Sequence, residues 1–300
     1  MVAPDERHDS GFGMEVKTLS TGDEAVLTAF LAPRVESSMF LLANAQASGL
    51  VDRGEPVQGT YVAALEEGRV VGVAAHFWNG MLVLQAADPG ALETVARAAV
   101  SRSRRDLKGL AGPRSQVDGV LRALDLQGRR TGLDSREELY VLDLRDLRVP
   151  EGLVSGRLVC RPPDEGELAL LGRWRVDFSI ESLGLLDGPD LEAISRREVE
   201  RLQAERNQWV LVDGGRLVSY SAFNARLPDV VQVGGVWTPR DLRGRGYARA
   251  VVAGTLLAAQ AEGVRRAVLF TAEENRSARA AYEALGFRVA GDYGLVIFSD

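Results

Sequence analysis

The sequence predicts an α/β protein (α+β mixed) made of two tandem copies of one plan, each a twisted mixed sheet with helices on both faces. Three observations predict it. The 300 residues are long for one compact domain and comfortable for two of about 150. Short alternating, β-branched runs are interleaved with Leu- and Ala-rich stretches of helical spacing. The order of elements, turn signals and prolines in 14–149 recurs in 150–300.

Each half opens on a short strand, MEVKTL (14–19) and GRLVCR (156–161), followed by two helical stretches. A hairpin comes next, YVAALEEGRVVGVAAHF in the first half and WVLVDGGRLVSYSAF in the second. Glu67-Gly68 and Gly214-Gly215 stand where a tight turn needs positive φ. The following strands, MLVLQAA (81–87) and VVQVGGVWT (230–238), run into Pro89 and Pro239, which cannot extend a ladder because proline lacks the N–H. Long amphipathic helices are expected over about 90–105 and about 246–262. LKGLAG and RAVLFTA then read as short strands, LRALDL and YEALGF as helix ends, and LYVLDL and YGLVIF as closing strands. RDLRVPEGLVS (145–155) reads as the linker. Residues 1–13 are expected to be a disordered tail, with Met14 an alternative start.

Composition narrows the chemistry. With 46% hydrophobic and 26% charged residues, the chain can bury a core without staples. Cys160 is the single cysteine, so no intrachain disulfide can form, and a reducing, cytoplasmic setting is expected. The polar N-terminus is no secretory signal, and no run of about 18 apolar residues suggests a membrane span. A net charge of -6 argues against broad nucleic-acid binding. The two histidines, His8 and His76, both lie before residue 150. The second half therefore has no Ser-His-Asp triad, Cys-His pair or His-ligated zinc site of its own, and no metal is implied.

One segment carries chemistry: VGGVWTPRDLRGRGYARAVVAGTLLAAQAEGV, a strand ending at Trp237-Thr238, a loop Arg243-Gly244-Arg245-Gly246-Tyr247-Ala248, then a helix. Gly244 and Gly246 let the backbone approach a ligand closely. Unpaired N–H groups at the helix start and the helix dipole favour an anion, so a phosphate or pyrophosphate is the natural guest. Arg240, Arg243, Arg245 and Arg249 can hold further phosphates. The loop lacks the Gly-Lys-Ser/Thr ending of a P-loop, and Arg249 stands at the third glycine of a dinucleotide fingerprint. The bland reading is a glycine-bearing turn with a solvated arginine face.

Arg243-x-x-Gly246-x-Ala248 resembles the Arg/Gln-x-x-Gly-x-Gly/Ala signature of GCN5-related N-acetyltransferases. Downstream, Asn275, Ser277 and Ala281-Tyr282-Glu283-x-Leu285-Gly286-Phe287 are also similar to that family, the likeness running from residue 210 to the end. The whole chain resembles tandem proteins in which a degenerate acetyltransferase-like half precedes an active one. The resemblance implies acetyl-CoA as co-substrate, its pyrophosphate bound by the loop and its pantetheine arm paired along Gly235, Val236 and Trp237, with Thr238 also among the cofactor-binding residues. It further implies Val236 N–H as polariser of the thioester carbonyl and Tyr282 as the acid that protonates the leaving thiolate; the alternative for Tyr282 is a core position on an amphipathic helix. Asn275 reads either as a pantetheine contact or as a helix N-cap.

Glu181, in FSIESLGL, reads either as the carboxylate that binds the acceptor ammonium and relays its proton, or as a solvated surface residue. Trp174 and Phe178 on the same stretch read as core. Arg196, Arg197 and Arg201, interleaved with Glu198 and Glu200, read as a solvated helix face. The first half has AADPGALETVARAAV where the signature should be, and Leu121 opposite Tyr282. It is expected to be non-catalytic, shaping the acceptor site or acting as a structural partner. The expected function is N-acetyl transfer to a small-molecule or peptide primary amine by a monomer or homodimer, without nucleic-acid or membrane partners. Two other readings stand beside it, a mycothiol-synthase-like tandem acetyltransferase and a silent coenzyme A-binding sensor.

Overall fold

In the computed structural model, which describes residues 14–299, twelve strands form one continuous sheet. The expected tail and His8 lie outside the described residues. The first half contributes β1 (Glu15–Thr18), β2 (Gly59–Glu66), β3 (Arg69–Phe77), β4 (Met81–Ala86), β5 (Gly109–Gly112) and β6 (Thr131–Asp143). The second contributes β7 (Leu158–Arg161), β8 (Gln208–Asp213), β9 (Arg216–Arg226), β10 (Val230–Trp237), β11 (Arg266–Ala272) and β12 (Arg288–Phe298). The order across the sheet is β1-β2-β3-β4-β5-β12-β6-β11-β10-β9-β8-β7.

The halves exchange their closing strands. β12 runs antiparallel to β5 of the first half, β6 runs antiparallel to β11 of the second, and β6 and β12 pair with each other along their length. Parallel pairing occurs at β4–β5 and β10–β11, giving a mixed sheet. The exchange closes two strand edges that would otherwise face water. Both hairpin turns have positive φ at both central residues, 50° and 75° at Glu67 and Gly68, 56° and 81° at Gly214 and Gly215. That geometry matches the right-handed twist of the flanking strands.

Helices cover both faces. On one lie α1 (Glu24–Leu31) and α2 (Val35–Ser48), then α6 (Leu168–Leu183) and α7 (Pro189–Ala204). On the other lie α3 (Pro89–Ser103) and α4 (Arg114–Ala123), then α8 (Tyr247–Ala261) and α9 (Arg276–Leu285). Strand alternation accounts for this: Tyr61 and Ala63 pack under α1 and α2, while Val62 and Ala64 pack under α3 and α4. Likewise Val268 faces α2, and Ala267 and Leu269 face α8. α2 reaches across the junction, with Phe40 stacked on Phe270 at 6.4 Å between ring centroids and Glu36 paired with Arg266 at 2.6 Å.

The segment Glu24–Ser48 reaches a mean hydropathy of 1.4, long and apolar enough to pass for a membrane-crossing helix, which the sequence reading did not anticipate. Its apolar side chains have a different use. A 3₁₀ turn at Ala32–Arg34, carrying Pro33, breaks it, and Leu27, Leu31, Met39 and Leu41 are buried against the sheet. The linker is tied down: Arg148 N–H donates to Leu285 O, Gln260 donates to Leu144 O, and α5 (Glu151–Val154) adds one helical turn.

Candidate active site

The sheet opens between β10 and β11. Their parallel pairing covers Val230–Gln232 against Arg266–Val268 and then stops. On its other side β10 pairs with β9 through a bulge: Gly234 faces Ala222 and Trp237 faces Tyr220, leaving Gly235 and Val236 looped between them. Gly235 takes φ 61°, which an L side chain rarely adopts, and a Cβ there would come within 2.6 Å of Arg175 Nη1. Past Gln232 the main chain of β10 is thus free to pair with a guest strand between β10 and β11.

The loop after β10 points its donors into the mouth of this cleft. Gly244 and Gly246 have φ of 76° and 78°, and Gly246 is the N-cap of α8. Among the hydrogen bonds of the described residues, none uses the N–H of Gly244, Arg245, Gly246, Tyr247, Ala248 or Arg249. These donors form an anion cradle reinforced by the dipole of α8. The Tyr247 side chain is turned away and anchored on Asp213 (2.6 Å), leaving its backbone to face the cradle.

Arg243 is held from two sides. Its Nε donates to Thr238 O at 3.0 Å, and its guanidinium lies 4.8 Å over the Trp237 ring. Thr238 in turn shares a hydrogen bond of 2.9 Å with Ser219. Trp237 packs edge-on against Phe178, and Trp174 is buried with Leu171 and Val199. The α6 aromatics are therefore core. Arg201 pairs with Glu198 and Glu205 at 3.0 and 2.7 Å along the solvated face of α7.

Glu181, at the end of α6, sits against the loop that follows β10. It pairs with Arg240 at 2.9 Å and Arg243 at 2.7 Å. The Arg243 hydrogen bond, followed by that from Arg240, holds its carboxyl below the ordinary carboxylate range. A carboxylate stabilised in this way is a weak proton acceptor. Asn275 caps α9, its Oδ1 accepting from Ala278 N–H at 3.1 Å. Tyr282 is buried on α9 between Tyr140 and Phe287. Burial, aided by the charge of Glu137, pushes its phenol up to about 12.

The corresponding place in the first half is closed by its own side chains. β4 pairs with β3 without a bulge. From α4, the Gln116 amide accepts from Ala86 N–H and donates to Ala86 O, both at 2.9 Å, imitating a guest strand. Asp88 caps α3 by accepting from Ala91 N–H at 3.0 Å, placing a carboxylate where the second half offers free donors. The remaining hollow is 240 Å³, below the roughly 300–1,000 Å³ of ordinary ligand pockets. The Asp88-Pro89 cap was open to sequence reading, since Asp before Pro at a helix start is an N-cap signal. Nothing local marks Gln116 or Arg175.

A hollow of 610 Å³ lies at the far end of β11, lined by Asp143, Arg145, Asp229 and Arg265. Those charges neutralise one another as Arg145–Asp143 and Arg265–Asp229, so it offers no chemistry comparable to the cleft.

Residues 174–287 match the Acetyltransferase (GNAT) family. Among solved structures, a Drosophila protein superposes with a TM-score of 0.65 at 12% identity, over 95% of this chain and 99% of that one. A GCN5-related N-acetyltransferase from Sphaerobacter thermophilus gives 0.56 at 16% identity, over 94% of each chain. A tandem GNAT protein from the clavulanic acid biosynthesis pathway gives 0.51 at 16% identity, over 96% of this chain and 98% of that one. At these identities the likeness is one of fold. No curated protein matches the chain.

Proposed function

Because residues 174–287 match the Acetyltransferase (GNAT) family, we propose that the protein is an acetyl-CoA-dependent N-acetyltransferase acting on a primary amine. The observation that carries this reading is the junction of two features: a strand pair that parts after Gln232, and a cradle of unpaired N–H groups from Gly244 to Arg249 at its mouth. An extended arm ending in a pyrophosphate fits both, the arm as a guest strand and the phosphates on the cradle.

In this reading the N–H groups of Gly244, Arg245, Gly246, Tyr247 and Ala248 hold the pyrophosphate, and Arg243, braced by Trp237 and Thr238, adds charge. Val236, outside the β9 ladder, turns its N–H on the thioester carbonyl. The amine nitrogen bonds to the carbonyl carbon, the C–S bond breaks, and the thiolate takes the Tyr282 proton. A phenol raised to about 12 by burial is fully protonated at neutral pH, the state an acid needs. Asn275 serves by capping the helix that carries Tyr282. The first half binds no donor.

The test is a calorimetric titration with acetyl-CoA, followed by turnover on a panel of primary amines. One site per chain, lost on Arg243→Glu, is the expected result, with the N-acetylated amine identified by mass. Two sites would overturn the reading of the first half, and no binding would overturn the whole.

A further inference from the structure

With Glu181 engaged by the phosphate loop, the second half supplies no free carboxylate at the cleft in its own strands: β10 carries Gln232, and β11 ends in Phe270-Thr271-Ala272. The strand exchange brings one. On β6, Glu137 lies directly opposite Ala272, the last residue of β11, and directly opposite Tyr293 of β12. Directly opposed residues share a face, so Glu137 projects on the side of the sheet covered by α2 and α6. That side holds Leu139, Phe270 and Tyr293, with Phe270 stacked on Tyr293 at 4.1 Å. Adjacent strands lie about 4.8 Å apart, so Glu137 stands one strand from the β11 edge of the cleft. The end of α6 comes down over the same strand, where a Cβ on Gly184 would lie 3.2 Å from Gly132 O.

We propose that Glu137, carried by the first half into the second half's sheet, accepts the proton of the incoming ammonium, so that the first half completes the active site. The proposal rests on the acetyltransferase reading above. Among the described residues no ion pair neutralises Glu137, whose hydrogen bond comes from Ser135 on its own strand. The carboxylates and cations beside it in sequence emerge on the other face, where Arg136 pairs with Asp118 and Glu138 with Arg279. Tyr293 of β12 is turned toward it on the same face and Tyr282 of α9 lies across the sheet, both raised by burial first and by the Glu137 charge second. From α2 comes the apolar Phe40. The Tyr293 hydroxyl is buried without a hydrogen-bond partner, a polar atom left over beside the same carboxylate. Desolvation raises Glu137 above the ordinary carboxylate range, toward the operating pH at which a general base works best.

The step balances as follows. The ammonium gives one proton to Glu137 and becomes a neutral amine. Its lone pair forms the C–N bond, the C–S electrons leave with sulfur, and sulfur takes the Tyr282 proton. The second nitrogen proton returns to Tyr282, and Glu137 releases its own to water. The products are the amide, coenzyme A and one proton.

The experiment compares wild type with Glu137→Gln and Glu137→Asp in the full chain. Acetyl-CoA binding is measured first, then kcat/KM against pH for a primary alkylamine drawn from those the wild type turns over, and for hydroxylamine. An alkylammonium has a pKa of about 10 and needs a base, whereas hydroxylamine is already neutral at pH 7. The expected result is unchanged donor binding in Glu137→Gln, a loss of about 10²-fold or more with the alkylamine, and disappearance of the acidic limb. Hydroxylamine turnover is kept, and Glu137→Asp restores part of the rate with the limb displaced. An alkylamine profile in Glu137→Gln identical to wild type overturns the proposal while leaving the acetyltransferase reading intact. Wild type that turns over no primary amine overturns both. Should Glu137→Gln fail to bind donor, the displaced limb of Glu137→Asp carries the test, and an undisplaced limb overturns the proposal.

Discussion

Neutralising Glu181 should tighten donor binding. In the structure this carboxylate occupies Arg240 and Arg243, the cations that a phosphate would use, at 2.9 and 2.7 Å. Arg240 is 79% exposed and Arg243 41%, so each pair is a screened surface contact, and the two together contribute about 1 kcal/mol. A phosphate must displace that carboxylate or share the arginines with it. Glu181→Gln removes the competition and lowers the dissociation constant of coenzyme A about fivefold. Because the Glu181 pKa is lowered in the folded protein, the pairs are complete at neutral pH and are lost only as pH falls through that lowered value. The assay is a calorimetric titration of coenzyme A into both proteins at two salt concentrations, and the difference should shrink at the higher salt. A dissociation constant that is unchanged or weaker, together with kcat reduced about 10²-fold, would refute this reasoning and return Glu181 to the role of base.

Three other outcomes follow. Tyr282→Phe should leave acetyl-CoA binding unchanged and lower kcat about 10²-fold or more; equal turnover in the two proteins would remove Tyr282 as the acid. Gly235→Ala forces a Cβ onto a φ of 61° against Arg175, at a cost of about 1–2 kcal/mol and a fall in Tm of about 2–4 °C, with donor affinity lost alongside; unchanged affinity would mean the bulge is not needed for the guest strand. A fragment of residues 150–300 leaves the β6-side edge of β11 open from Arg266 to Ala272 and β12 without either neighbour, so it should aggregate; a soluble, monomeric, donor-binding fragment by light scattering would show that the exchanged strand is dispensable.

Much of this was readable before any coordinates. The type I′ turns at Glu67-Gly68 and Gly214-Gly215 announce themselves because few residues tolerate positive φ. The cradle from Arg243 to Ala248 is a local device, its glycines and the helix start contiguous in the chain, so spacing alone identifies it. The elimination of histidine chemistry from the second half needed only a count.

Other features depend on residues far apart in sequence. LYVLDL was legible as a strand, but side-chain alternation is the same whichever edge a strand joins, so nothing in it says that β6 lies between β11 and β12. Glu181 reads either as an acceptor-site carboxylate or as a solvated surface residue until folding brings Arg240 and Arg243 within 3 Å of it. Gln116 is an ordinary helical glutamine until its amide meets Ala86. The sequence by itself determined two α/β halves and one glycine loop with free N–H donors at a helix start, because turns, caps and periodicity are written in neighbouring residues. Only the tertiary structure decided that the halves share one sheet and that Glu137 of the first stands beside the cleft of the second. Strand pairing and the partners of long polar side chains are settled by which surfaces meet.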